Sequence, residues 1–130
     1  MQYIILFIIS STLSFSNNTY YNKLLFCLSP SVDPIMIENK NLIKTNIESI
    51  DHIFDKYEIT TIEPWLTGAT NSDFDNDIYL NRIFRITTKD RDYNKLVNIK
   101  EELSKVNEIH SVEFEYIRKP SYTPNDPYYN

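Results

Sequence analysis

Glycine, cysteine and clustered basic residues are all scarce in this chain. Its 130 residues include one glycine, Gly68, and one cysteine, Cys27. A lone cysteine excludes an internal disulfide. Cys27 lies between Phe26 and Leu28 in an apolar run, the setting of a buried core thiol. The histidines are two, His52 and His110, and no CxxC or HxxxH spacing exists, so a zinc donor set is missing. Thirteen Lys and Arg stand against 18 Asp and Glu, giving a net charge of −5 without any basic block. Nucleic-acid binding rests on clustered cations that neutralise phosphates, so that class of partner is excluded. An acidic surface suits a soluble domain, or one that meets a basic surface or helix N-termini.

No apolar run is long enough to span a bilayer, which takes about 20 residues. The longest, Tyr3 to Ile9, is followed by Ser10-Ser11-Thr12-Leu13-Ser14-Phe15-Ser16. Small residues Ser14 and Ser16 after a short apolar stretch predict a cleaved signal peptide over 1–16, although no Lys or Arg precedes Lys23. Such a leader implies a secreted product, extracellular or in the cell envelope, with no membrane contact in its mature form. Asn17 to Asn22 is polar and reads as a linker over 17–22.

What is present is a regular alternation of periodicities. Lys23 to Pro30 predicts a short strand, stopped by Pro30 and Pro34. Thr45-Asn46-Ile47-Glu48 has capping-box spacing, and Ile47, Ile50, Ile53, Phe54 and Tyr57 recur at helical intervals. Ile59 to Leu66 is β-branched and aromatic, hence a strand. Gly68 to Asp77, rich in Asn, Asp and Ser, predicts a loop. Leu80, Phe84 and Ile86 then fall on one strand face, with Arg85 and Thr87 on the other. Asp92 is placed to cap a helix whose stripe is Leu96, Ile99, Leu103 and Val106. In Ile109 to Lys119, Val112, Phe114 and Tyr116 face one way, Glu113 and Glu115 the other.

The order strand, helix, strand, strand, helix, strand predicts an α+β domain. It is a ferredoxin-like βαββαβ sandwich, a four-stranded antiparallel sheet with two helices on one face. The other sheet face is left bare, a natural docking surface. Chemistry on this fold finds little to use. Ser29 to Lys40 has neither Gly nor Arg to cradle a phosphate. Phe84, Phe114 and Tyr116 offer rings for RNA bases, but in an acidic field. His52 sits on a helix and His110 opens a strand, neither beside a nucleophile in sequence. Asp73, Asp75 and Asp77 alternate as in a calcium loop, but the turn glycine and distal Glu do not follow in register.

The C-terminal residues carry a family resemblance. Ser121-Tyr122-Thr123-Pro124-Asn125-Asp126-Pro127-Tyr128-Tyr129 resembles the start of the mature domain in thermitase-like and related bacterial subtilisin-like serine proteases. Arg82-Ile83-Phe84-Arg85-Ile86, the following helix, and Ile109-His110-Ser111-Val112-Glu113-Phe114-Glu115-Tyr116 resemble the end of subtilisin-type prodomains. The resemblance covers about Lys23 to Asn130 and is dense from Arg82 onward. It departs from the family in one respect. The sequence has no Asp-Thr-Gly or Asp-Ser-Gly, no His-Gly-Thr-His and no Gly-Thr-Ser, so no catalytic triad and no hydrolysis are expected of this chain.

The resemblance implies an intramolecular chaperone and inhibitor, with 23–119 as prodomain and 120–130 as an extended junction into an absent catalytic domain. Its partner is the cognate subtilisin-like catalytic domain. The bare sheet face would dock on two helices of that domain, with Glu113 and Glu115 capping their N-termini. Ile117, Arg118, Lys119, Pro120 and Ser121 would lie in the substrate cleft, and processing would fall at Ser121–Tyr122. No cofactor is implied for this chain. In a full-length parent, Asp126 is the implied calcium ligand, which alone would not hold the ion. The alternative is a free-standing secreted protease inhibitor or binding module of the same fold.

Overall fold

A first strand, β1 (Thr19–Leu28), runs through the middle of the sheet, and its composition explains its place. Leu24 to Leu28 is apolar on both faces. Leu24, Phe26 and Leu28 are buried towards the helices, while Leu25 and Cys27 point to the other side. A strand with partners on both edges and apolar residues on both faces reads as a continuous apolar run. The computed structural model describes residues 19–37 and 43–117. The strand begins at Thr19, inside the polar stretch that reads as a linker. Thr19 pairs with Tyr116, and an irregular register separates that pair from Leu24↔Phe114. Backbone pairing, which polarity does not report, extends the strand.

Helix α1 (Glu48–Lys56) follows, then β2 (Ile59–Pro64). The helix starts two residues later than the capping spacing suggests, and the capping box does not form. The Thr45 hydroxyl accepts from Ile47 N at 3.0 Å, and Asp51, not Glu48, accepts from Thr45 N at 2.7 Å and from its Oγ1 at 2.8 Å. Ile47 occupies the cap position without a side-chain bond. The carboxylate one turn further along accepts both bonds from Thr45, and Asp51 N donates to Ile47 O, so the contact is one-sided and not a capping box. The helix ends at Tyr57, and Glu58 takes φ 52°, the left-handed position usually given to glycine.

The predicted loop contains a hairpin, β3 (Phe74–Asp75) and β4 (Ile78–Tyr79), turning through Asn76 at φ 55°. Asn tolerates this conformation better than most residues, so no second glycine is needed. A 3₁₀ turn, Leu80–Arg82, leads into β5 (Ile83–Thr88), which removes Leu80 from the strand face predicted for it. Helix α2 (Tyr93–Leu103) is capped by Asp92, which accepts from Asn94 N at 2.9 Å and Lys95 N at 3.3 Å. The last strand is β6 (Ile109–Tyr116).

The sheet order is β2-β5-β1-β6, all antiparallel, so the fold is the ferredoxin-like α+β sandwich. One core lies between the sheet and both helices. It joins Leu24, Phe26, Phe84 and Ile86 to Ile50, Ile53 and Phe54 of α1 and Leu96, Ile99 and Leu103 of α2. Phe26 stacks on Phe84 at 5.7 Å and meets Phe54 edge-on at 6.2 Å. Tyr116, placed by alternation with Val112 and Phe114, is 63% exposed beyond the register shift, and Tyr93 of α2 stacks on Phe114 at 5.4 Å while remaining 37% exposed.

Candidate protein-docking face

Alternation in four paired strands assembles the helix-free face. In one rung Glu63 of β2 lies opposite Arg85 of β5, Arg85 opposite Leu25 of β1, and Leu25 opposite Glu113 of β6. The next rung aligns Ile83, Cys27 and Ser111, with Trp65 N donating to Ile83 O at 2.9 Å.

Arg85 organises the charges. Its Nε donates to Glu115 Oε2 at 2.8 Å, its second arm donates to Glu115 Oε1, and Nη1 donates to Glu63 Oε1 at 3.1 Å. The planar fork matches a carboxylate edge, so the Glu115 contact is bidentate. Glu115 holds the guanidinium above its ordinary pKa; burial opposes this, and Glu63 adds to it. Glu115 itself is only 8% exposed. Of the two carboxylates predicted for docking, both lie on this face, but Glu115 is committed to Arg85. Glu113 is exposed, and among the described residues no cation pairs with it.

Recesses formed by described residues open on the face. A recess of about 540 Å³ is bordered by Tyr20, Leu66, Tyr116 and Glu115. A smaller, mainly apolar one of about 220 Å³ is bordered by Cys27, Ile78, Ile83 and Ser111. Leu25, Trp65 and Glu113 line both, so they form the ridge between them. Burial pushes the Cys27 thiol above its usual pKa. A charged recess on the helix side is lined by Ser49, Asp51, His52, Glu102 and Lys105 among others. Asp51 there is engaged by Thr45, and no hydrogen bond joins Ser49 to His52 among the described residues.

The aspartates of the hairpin are each occupied locally. Asp73 accepts from Thr70 N at 2.7 Å and Thr70 Oγ1 at 2.9 Å, which lowers its pKa. Asp75 accepts from Asn76 at 3.1 Å, and Asp77 lies 3.9 Å from His110. Among the described residues no group of three His, Cys, Asp or Glu is placed to hold a metal, and no helix is long and apolar enough to cross a membrane.

Ile117 is the last described residue and is half-buried. Arg118, Lys119, Pro120, Ser121, Tyr122 and Asp126 lie outside the described residues, as does the segment 1–16. Sequence reasoning put Arg85 on this face without its ion pairs, and missed Trp65 and Ile78 as parts of it. Arg85 carried a signal, a cation on the strand face opposite Phe84 and Ile86. Trp65 and Ile78 carried none, because they enter the face from outside the four strands. Neither a family model, nor a curated protein, nor a solved structure matches the chain.

Proposed function

We propose that this chain is the inhibitory and folding-assisting prodomain of a secreted subtilisin-like serine protease, and is not itself the enzyme. The observation that carries the reading is the helix-free face, whose ridge of Leu25, Trp65 and Glu113 carries a carboxylate that no cation pairs with among the described residues. The strand bearing Glu113 is an edge strand among the described residues, and in the sequence it precedes the protease-like stretch Ser121 to Tyr129.

The physical logic has two parts. The sheet face docks on helices of the catalytic domain, with Glu113 at a helix N-terminus, where a carboxylate is favoured by the helix dipole. The segment from Ile117 to Ser121 enters the cleft as an added strand, held by main-chain hydrogen bonds. Docking raises the effective concentration of that segment at the cleft, so a weak peptide becomes an effective inhibitor. Because the face binds the native protease and not its unfolded chain, the same contact stabilises the native form during folding. Asp126, by the same resemblance, belongs to a calcium site completed only in a full-length parent.

The test is inhibition of a purified thermitase-type protease by the full chain, together with the refolding yield of that protease after denaturation. Tight, saturable inhibition and a raised yield are expected. A protease that hydrolyses its substrate at an unchanged rate and refolds no better would overturn the reading.

A further inference from the structure

Strand β6 ends at Tyr116, and Tyr116 borders the 540 Å³ recess of the helix-free face. That volume falls inside the roughly 300–1,000 Å³ of pockets that enclose drug-sized ligands. The recess is largely aromatic and aliphatic, with Tyr20, Leu25, Trp65, Leu66, Phe114 and Tyr116 around it. Tyr116 is 63% exposed and Leu66 38%, so apolar surface stands uncovered at its mouth. The chain leaves the sheet at the same place. Ile117 follows Tyr116, and residues 118–130 come next. Their apolar side chains are Pro120, Tyr122, Pro124, Pro127, Tyr128 and Tyr129. Lys119-Pro120-Ser121-Tyr122 puts proline second in a four-residue turn, and Thr123-Pro124-Asn125-Asp126 does so again with Asn third.

We propose that the chain's own segment 118–130 turns back at Pro120 and seats tyrosine rings, Tyr122 foremost, in this recess. The chain is thereby its own first ligand, and the tail covers part of the face until a partner draws it away. Position selects this occupant. The segment starts at the mouth of the recess, and an extended chain advances about 3.3 Å per residue, so one reversal brings Tyr122 back alongside Tyr116. A tether this short holds the rings at an effective concentration in roughly the millimolar range. A second copy of the chain has to overcome the loss of translational and rotational freedom for the same contacts. Chemistry fits as well, since tyrosine rings pair with the rings of Tyr20, Trp65 and Tyr116 edge-on or offset. The charges agree. Glu113 has no cation paired with it among the described residues, Arg85 is balanced by Glu115 and Glu63, and Lys23 lies over the Tyr20 ring at 4.8 Å. The segment opens with Arg118 and Lys119, a match for Glu113. Arg82 does not border this recess; Val32 O, Asn71, Asn81 and the Tyr79 ring hold it elsewhere. The inference does not rest on the prodomain reading, because it concerns the chain alone.

Trp65 is the chain's single tryptophan, so its fluorescence reports the recess directly. The experiment measures acrylamide quenching of Trp65 in the full chain and in a full-length variant carrying Tyr122→Ala, Tyr128→Ala and Tyr129→Ala. Removing the rings should raise the quenching constant about twofold or more, because the contact is populated most of the time at that effective concentration. Quenching of the unsubstituted chain should not change on dilution. A second measurement places a nitroxide on Asp126→Cys of the full chain; Cys27 is 5% exposed and escapes the label. Amide resonances of Leu25, Leu66 and Glu113 should broaden, and those of His52 and Asp55 on α1 should not. Equal quenching in the two chains, with no broadening on the sheet face, would overturn the inference and leave the prodomain reading standing. Broadening that persists when labelled chain is mixed with unlabelled, isotope-enriched chain would assign the recess to a second copy and also overturn it.

Discussion

Arg85 reaches two carboxylates on different strands, and the two are not equivalent. Glu115 is nearly buried and bound by both arms of the fork, whereas Glu63 is largely exposed. Deleting a group that is hydrogen-bonded to a buried charge costs more than deleting an exposed ion-pair partner, which contributes about 0–1 kcal/mol. Glu115→Ala should therefore cost about 1–3 kcal/mol in denaturant unfolding, and Glu63→Ala much less. Equal losses would show that burial does not distinguish the two contacts. The parity of Glu113 and Glu115 was legible from simple alternation. That Glu115 would be taken by Arg85 was not, since the contact passes diagonally across β1 and depends on register. Glu102 supplies a second residue-level test. It accepts from Lys56 Nζ and from Tyr57 Oη, each at 2.6 Å, and Lys56 first, then Tyr57, hold its carboxyl below the usual range. A carboxylate with a lowered folded pKa stabilises the fold above its unfolded value, about 4.3, and loses that contribution as pH falls through the folded one. Glu102→Gln should flatten the acid-side decline in stability between roughly pH 5 and pH 3. An unchanged pH profile would remove Glu102 from that decline.

At the scale of elements, the apolar stripe of α2 carries the tightest packing. Leu96, Ile99 and Leu103 have no exposed surface. Leu103→Ala should cost about 2–5 kcal/mol if the cavity does not collapse, measured by chemical denaturation. A loss below about 1 kcal/mol would place that stripe outside the core. The helices and β5 were legible because each follows one period, 3.6 or 2, with one buried face; β2 was legible from its β-branched composition, and β6 from the alternation of Val112 and Phe114 with the two glutamates, although its burial departs from that alternation at Glu115. The early start of β1 was not, because Thr19 to Asn22 is polar and joins the sheet through its backbone. The hairpin escaped for a similar reason. Its strands have two residues each, too few for any period to show. The capping exchange at Thr45 shows that the right residue types at capping spacing do not decide which carboxylate answers.

For the molecule as a whole, the described residues cover the sheet with helices on one side, and the other side combines the apolar residues Leu25 and Trp65 with Glu113, which no cation pairs with among the described residues. The sequence order of strands and helices was enough to anticipate which side is bare. The recess depends on how Trp65 and the hairpin fold over the sheet, which no local pattern encodes. The functional account assigns two separate jobs to two regions, docking to the face and blocking to the tail. Its most direct test compares inhibition of a thermitase-type protease by the full chain and by a chain lacking residues 117–130. Far-ultraviolet circular dichroism and melting establish that the shortened domain remains folded. The account predicts strong inhibition by the full chain and none by the shortened one, which still binds the protease. Inhibition that survives truncation unchanged, or a full chain that does not inhibit at all, would contradict it.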